Sequence, residues 1–151
     1  LMIVKNNPYL IEYNVRMGDP ECQTILPLLE NDFLDLIDAC CKKKLSKTNI
    51  KWKKKKSLCV VLCSKGYPNK YKNELEINNL DKTPYTKSDF LFHAGTKLVE
   101  KKIVSSGGRV LNFVNISKSF KQSRKKIFKN IEKLNWENGF FRKDIGYKVI
   151  D

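Results

Sequence analysis

The sequence predicts an α+β fold, β-rich toward its C-terminal end, and three observations predict it. Residues Tyr9 to Met17 alternate strictly between apolar and polar side chains, the period of a half-buried strand. Leu58-Cys59-Val60-Val61-Leu62-Cys63 is a short unbroken apolar run closed by Lys65-Gly66-Tyr67-Pro68, as in a buried strand that ends in a turn. Residues 118–133 carry Phe120, Ile127 and Ile131 at helical spacing, with Leu134 next in line and lysines on the other side, which is one amphipathic helix.

Each element follows in order. In the first strand, Tyr9, Ile11, Tyr13, Val15 and Met17 face a core, while Leu10, Glu12, Asn14 and Arg16 face the other way. Gly18-Asp19-Pro20-Glu21 turns into a helix: Asp19 suits the N-cap, Pro20 the first helical position, and Glu21 the positive end of the dipole. Pro27 interrupts that helix after about two turns, because the residue before a proline is pushed out of the α region. A second helix restarts at Asn31 or Asp32, with Phe33, Leu36, Ile37, Cys40 and Cys41 as its apolar stripe. Residues 42–56 hold nine lysines. Lys42, Lys43 and Lys44 suit a helix C-terminus, and the rest read as an exposed connection anchored by Trp52. Beyond the 57–63 strand, further strands are predicted at 74–78, 89–99 and 108–116, with Gly95 and Gly107-Gly108 at turns or bulges. The tail from Gly139 to Ile150 reads as one or two closing strands.

The chain has 151 residues, room for one ordinary domain or the end of a larger protein, and it opens at Leu1 rather than Met, like a piece of a longer chain. Its 41% hydrophobic and 30% charged residues are globular rather than disordered composition. No apolar run approaches the roughly 20 residues of a membrane helix. Five cysteines without a CxxC pair indicate neither a disulfide scaffold nor a zinc ribbon, and a reduced, cytoplasmic setting is expected. His93 is the single histidine, so a metal site must rest on oxygen ligands. In its apolar strand, His93 reads as a core histidine; Cys59 and Cys63 read as buried, inert thiols.

A formal charge of +14 raises the question of nucleic acid. Yet 26 of the 30 basic residues are Lys, and planar phosphate and base recognition favour Arg. Asn (14) and Ile (12) are abundant and Ala is nearly absent, so the lysines fit a codon bias spread over a solvated surface. Weak, sequence-blind binding is expected, with no specific nucleic acid and no membrane as partner.

The residues with chemistry are Glu12-x-Asn14-x-Arg16, followed directly by Gly18-Asp19. On a strand, residues two apart lie about 6.6 Å apart on one face. A carboxylate and an amide oxygen so placed can share one hard cation, and Arg16 one step on can meet a phosphate. The same spacing also describes a surface strand with an ion pair along its polar face.

Residues 8–23, Pro-Tyr-Leu-Ile-Glu-Tyr-Asn-Val-Arg-Met-Gly-Asp-Pro-Glu-Cys-Gln, closely resemble the E-x-N-x-R-x-G-D-P-E-x-Q signature of the glycinamide ribonucleotide synthetase family. Ile25-Leu26-Pro27-Leu28-Leu29, Ser64 to Pro68, Phe92-His93-Ala94-Gly95-Thr96, Gly107-Gly108-Arg109-Val110 and Phe141 to Gly146 are similar to that family in the same order, so the resemblance covers nearly the whole chain. Met17, Cys22 and Phe141 depart mildly from the pattern. No P-loop and no GxGxxG occurs, and Gly107-Gly108 leads into a strand rather than a helix.

The resemblance implies that residues 1–56 are the last strand and helices of an ATP-grasp domain with a Lys-rich connection, and that 57–151 are the small mixed β-rich C-terminal domain. It implies a ligase in which ATP phosphorylates glycine and the amine of 5-phosphoribosylamine attacks the glycyl phosphate. Glu12 and Asn14 are then ligands of Mg²⁺ (or Mn²⁺), Arg16 the catalytic cation, and Gly18 and Asp19 the substrate end, although Asp19 serves equally as a helix cap. Arg109, and Arg142 with Asp144, either pair structurally or face the cleft. The nucleotide-gripping N-terminal part is missing from such a piece. Other ATP-grasp ligases or carboxylases share Glu-x-Asn-x-Arg but lack the Gly-Asp-Pro-Glu continuation, and a stand-alone basic binding module is the remaining alternative.

Overall fold

Two nine-residue strands form the centre of the computed structural model, in which residues 1–83 and 85–150 are described. Asp151, the end of the expected second domain, lies outside them. Strands β3 (Lys56–Ser64) and β7 (Arg109–Ser117) pair antiparallel from Lys56↔Ser117 to Cys63↔Arg109, with a register shift after Leu62. β4 (Asp89–His93) flanks β7, and the short β8 (Gly139–Phe140) flanks β3, giving one antiparallel sheet in the order β4-β7-β3-β8. Directly opposed residues share a face. Val60 opposite Phe113 and Leu62 opposite Leu111 therefore present one apolar surface.

Helix α3 (Phe120–Leu134) covers that surface with Ile127, Ile131 and Leu134, and Phe120 packs at the edge of the same core. Its start and stop are chemically marked. The Ser119 hydroxyl accepts from the Gln122 N–H at 3.3 Å, and Asn135 closes the helix in the left-handed conformation at φ 48°. Each fully buried side chain of this size contributes roughly 1.5–3 kcal/mol, so the interface between α3, β3 and β7 dominates the stability.

On the other sheet face lie Cys59, Val61 and Cys63, with α1 (Glu21–Ile25) against β3 and β7. α1 is a five-residue helix that passes into a 3₁₀ turn at Leu26–Leu28; contrary to expectation Leu26 keeps helical angles (φ −59°, ψ −37°) before Pro27, which sits at the start of the 3₁₀ turn. α2 (Phe33–Cys41) starts after Asp32, whose carboxylate accepts from the Leu34 N–H at 2.8 Å. Its expected apolar stripe is buried only at Leu36; Phe33, Ile37, Cys40 and Cys41 face solvent. The Lys-rich connection is tied back by a bridge between Leu29 and Trp52.

Several expected strands differ. Residues 10–17 form no strand and pair with no strand among the described residues; β1 (Met2–Val4) and β2 (Asn7–Tyr9) make a hairpin ahead of them. A strand needs a lateral partner for its backbone groups, and here none is present. Tyr13 consequently does not face a core: it is 84% exposed, and Val15 99%. Segment 74–78 is reduced to one bridge, Glu76↔Val104, because Glu74 at φ 62° breaks the extended run. The expected 89–99 strand divides at Ala94-Gly95 into β4 and β5 (Thr96–Val99), which pairs with β6 (Lys102–Ser105) in a separate hairpin. After Phe140 the tail leaves the sheet and ends in a 3₁₀ turn at Tyr147–Val149. No helix among the described residues is long and apolar enough to cross a membrane.

Candidate functional site

The glycine-rich stretch before β7 sets the end of the sheet where the site lies. Gly95 and Gly107 run so close that a Cβ on Gly95 would stand 2.6 Å from the Arg109 carbonyl oxygen and 2.8 Å from Gly107 Cα. Only backbone fits there. The Gly95 N–H donates to that same carbonyl at 2.8 Å, which fixes Arg109 at the first position of β7. From there its guanidinium crosses to the turn before α1. Arg109 Nη1 donates to the Asp19 carbonyl at 2.7 Å and lies 3.4 Å from the Asp19 carboxylate.

Asp19 is thus held from two sides, since its Oδ1 also accepts from Gln23 Nε2 at 2.6 Å. This corrects its expected role as helix cap. The N-cap is Pro20, α1 begins at Glu21 rather than Pro20, and no side chain caps it. Gly18 sits one residue earlier; its N–H donates to Glu21 Oε2 at 3.2 Å and its carbonyl accepts from the Cys22 N–H at 2.9 Å.

Glu12 and Asn14 touch, with Asn14 Nδ2 donating to Glu12 Oε1 at 2.9 Å, although no strand sets them on one face as expected. Arg16 does not join them and donates instead to the Met17 carbonyl at 2.8 Å. Among the described residues no group of three or more His, Cys, Asp or Glu side chains could hold a metal ion. Two oxygen donors are nevertheless what Mg²⁺ takes from a protein when waters and phosphate oxygens complete its shell. The donor set fits a shared ion, not a closed cage.

On the same sheet face as α1, between β3, the Tyr67-Pro68 turn and the tail from Phe140 to Ile145, lies a cavity of about 520 Å³. Cys59, Val61 and Cys63 line it, with Pro20, Tyr67 and Arg109 among the other walls. Burial, with the Asp19 charge adding to it, pushes the Cys59 thiol up to about 12. Burial also raises Cys63, partly offset by Arg109. Both thiols stay protonated at neutral pH, in line with the inert role expected for them, although Cys59 is only half-buried. On the same sheet face Asn112, opposite Val61, is fully buried with neither amide atom bonded to a described protein group, and Gln23 Oε1 is likewise unbonded.

His93 is not a core residue. It ends β4 in the open, its Nδ1 3.0 Å from Thr96 Oγ1, because the strand stops at the Ala94-Gly95 turn. Arg142 pairs locally with Asp144 through two bonds, 3.1 and 2.6 Å, whereas Arg109 faces the Asp19 turn. The residue pair that sequence reading missed is Asp19 with Arg109. No local pattern signals it: the double glycine ahead of Arg109 answers to the close approach of Gly95 and of the Tyr67 ring.

Comparison with known proteins covers both halves of this arrangement. Phosphoribosylamine–glycine ligase of Caldanaerobacter subterraneus subsp. tengcongensis is 45% identical over 145 residues, 96% of this chain and 34% of that protein. The enzyme of the same name from Fusobacterium nucleatum is 42% identical over 97% of this chain and 34% of its own length. The crystal structure of phosphoribosylamine–glycine ligase from Thermotoga maritima superposes with a TM-score of 0.70 at 27% identity, over 95% of this chain and 34% of that one. The chain therefore spans about a third of the length of the relatives it matches. Residues 57–148, from β3 into the final 3₁₀ turn, match the family described as phosphoribosylglycinamide synthetase, C domain, and the chain belongs to that family.

Proposed function

We propose that this chain is the C-terminal part of a phosphoribosylamine–glycine ligase, which forms glycinamide ribonucleotide in purine biosynthesis from ATP, glycine and 5-phosphoribosylamine. The observation that carries this reading is continuity. The Caldanaerobacter relative aligns over 96% of the chain, so the Glu12–Asp19 segment and the C domain belong to one polypeptide in both. Residues 1–56 then close an ATP-grasp domain whose nucleotide-gripping part precedes Leu1. The reaction takes place in the cytoplasm.

The chain's own residues have separable tasks. Glu12 and Asn14 hold Mg²⁺ (or Mn²⁺), whose contribution when bound is to neutralise charge on the phosphoryl oxygens. Arg16 leaves the Met17 carbonyl and steadies the phosphoryl oxygens as glycine is activated. Gly18 offers backbone without a side chain where substrate approaches. Asp19 bounds the substrate end, and Arg109 holds it there from the C domain. Transfer of a phosphoryl group asks little covalent chemistry of the protein, so positioning of charge is the main demand.

A chimera tests the reading. The third of the Caldanaerobacter ligase that aligns with this chain is replaced by residues 1–151, and ADP release is followed with glycine and freshly generated phosphoribosylamine. Release that depends on both substrates is the expected result, with none from the 151-residue chain alone. A folded, ATP-binding chimera that releases no ADP refutes the proposal, and so does turnover by the isolated chain.

A further inference from the structure

A second concave site lies where β3 leaves the sheet. The chain turns through Lys65-Gly66-Tyr67-Pro68 and continues as Asn69-Lys70-Tyr71-Lys72. Lys65, Lys70, Tyr71, Lys72, Leu75 and Asn138 enclose a cavity of about 460 Å³, within the size range of small-molecule sites. No carboxylate lines it. Among the described residues none of its three lysines is ion-paired, and the nearest carboxylate in sequence, Glu74, is occupied by Lys97 at 2.5 Å. Three ammonium groups around one concavity are a repulsive arrangement that an anion relieves.

The walls are fixed by backbone. The Lys65 N–H donates to the Asn138 carbonyl at 2.9 Å, which pins the turn to the segment between α3 and β8. Gly66 stands at φ 99°, and a Cβ there would come within 2.1 Å of the Lys70 carbonyl oxygen. The turn thus requires glycine and draws Lys70 back beside Lys65. Tyr71 is held edge-on against Tyr67 at 6.0 Å between ring centroids. Tyr71 and Leu75 supply an apolar wall, and the Asn138 amide can both donate and accept. The lysines along α3 are different: Lys126, Lys129 and Lys133 are exposed on the helix, and Lys121 and Lys125 border a separate hollow beside Arg124, Phe128 and Ile150.

We infer that this cavity binds a phosphorylated heterocycle, a nucleoside mono- or diphosphate, with phosphate oxygens on Lys65, Lys70 and Lys72 and the ring against Tyr71 and Leu75. It shares no residue with the Glu12–Asp19 site and does not depend on the ligase reading.

The test is an NMR titration of the ¹⁵N-labelled 151-residue chain at physiological salt with ADP, adenosine and pyrophosphate. ADP should shift the amides of residues 65–75 and Asn138 and bind more tightly than either fragment. Lys65→Ala/Lys70→Ala/Lys72→Ala should weaken ADP roughly tenfold or more, the sum of three exposed charge contacts. Lys126→Ala/Lys129→Ala/Lys133→Ala removes the same net charge from α3, away from either hollow, and should leave ADP binding unchanged. Equal loss in the two triple variants, or shifts spread over all lysines, would reduce the site to bulk charge and overturn the inference. Pyrophosphate binding as tightly as ADP overturns the heterocycle, and no ADP shifts at millimolar concentration overturn the site.

Discussion

Replacing Arg109 by Ala tests whether the C domain holds the turn that begins α1. The guanidinium makes a hydrogen bond to the Asp19 carbonyl at 2.7 Å and an ion pair at 3.4 Å, and both side chains are about 40% exposed. A hydrogen bond from a charged donor is worth about 1.5–3 kcal/mol when shielded, and half-exposure lowers that to about 1. The exposed ion pair adds between about 0 and 1 kcal/mol. The tie is therefore worth about 1–2 kcal/mol, all of it local, because Arg109 touches none of the α3 core. Opening of residues 18–25 should become about 5- to 25-fold more frequent.

Native-state hydrogen exchange reads that number directly. The Cys22 amide, which donates to Gly18 at 2.9 Å, should exchange faster by that factor in Arg109→Ala. Amides of Val60 and Phe113, in the centre of the sheet, should keep their rates. Arg109→Lys should recover part of the effect, since an ammonium can meet one acceptor at a time. Unchanged exchange at Cys22 would show that the contact does not hold the turn. Equal acceleration at Phe113 would show that Arg109 supports the whole domain, and the assignment as a tether would fall.

If the chain is part of a ligase as proposed, Glu12→Gln in the full-length protein keeps the shape and removes the charge, so ADP formation should drop about 10²–10³-fold with partial rescue by excess Mg²⁺. Asn14→Ala should act in the same direction but less, and wild-type turnover of Glu12→Gln at limiting Mg²⁺ would refute the ligand assignment. Leu134→Ala opens a fully buried position between helix and sheet and should cost about 2–5 kcal/mol in urea unfolding; a loss under 1 kcal/mol would mean the core closes over the gap. Cys59 has its thiol raised to about 12 in the fold, so the stability it contributes is complete below the unfolded value near 9 and is lost as pH rises beyond it. Between about pH 9.5 and 11 wild type should lose up to about 1.4 kcal/mol per pH unit more than Cys59→Val, and parallel pH profiles would refute the burial of the thiol.

What could be read from the sequence depends on where each pattern finds its partners. β3, β7 and α3 were legible because their apolar residues bury one another within the chain. β6 and the β1–β2 hairpin were not, because their turns carry an unusual signal. Glu100-Lys101 and Lys5-Asn6 both adopt positive φ at two successive residues, a geometry ordinarily announced by Asn-Gly or Asp-Gly. The 89–99 run looked continuous because Gly95 alone does not announce a change of sheet. In the segment before α1, the nearness of Glu12 and Asn14 follows from their being two residues apart, on coil rather than on the expected strand. Asp19 and Arg109 lie 90 residues apart, and only the fold brings them together.

The segment from Leu10 to Met17 is where local pattern and structure disagree most, and the disagreement supports the ligase reading. Its alternation is that of a strand with one covered face, yet Tyr9, Ile11, Tyr13 and Val15 all lie more than half exposed, as do Met2 and Ile3 of the adjoining hairpin. Leaving each such side chain in water forgoes about 1.5–3 kcal/mol, and a stable monomer rarely presents so many in one stretch. The α3 interface cannot cover them, because that sheet face is already full and the opposite one is taken by α1 and the tail from Phe140 to Ile145. A lateral strand and a covering layer from the rest of the proposed ATP-grasp domain would supply what is missing. Burial of the Tyr13 face would then turn Glu12 and Asn14 outward on the polar side, where their 2.9 Å contact already sets them side by side. The Arg109 tether fixes Asp19, two residues beyond the segment, to the C domain, so the stretch would be gripped at both ends with the proposed metal ligands Glu12 and Asn14 between.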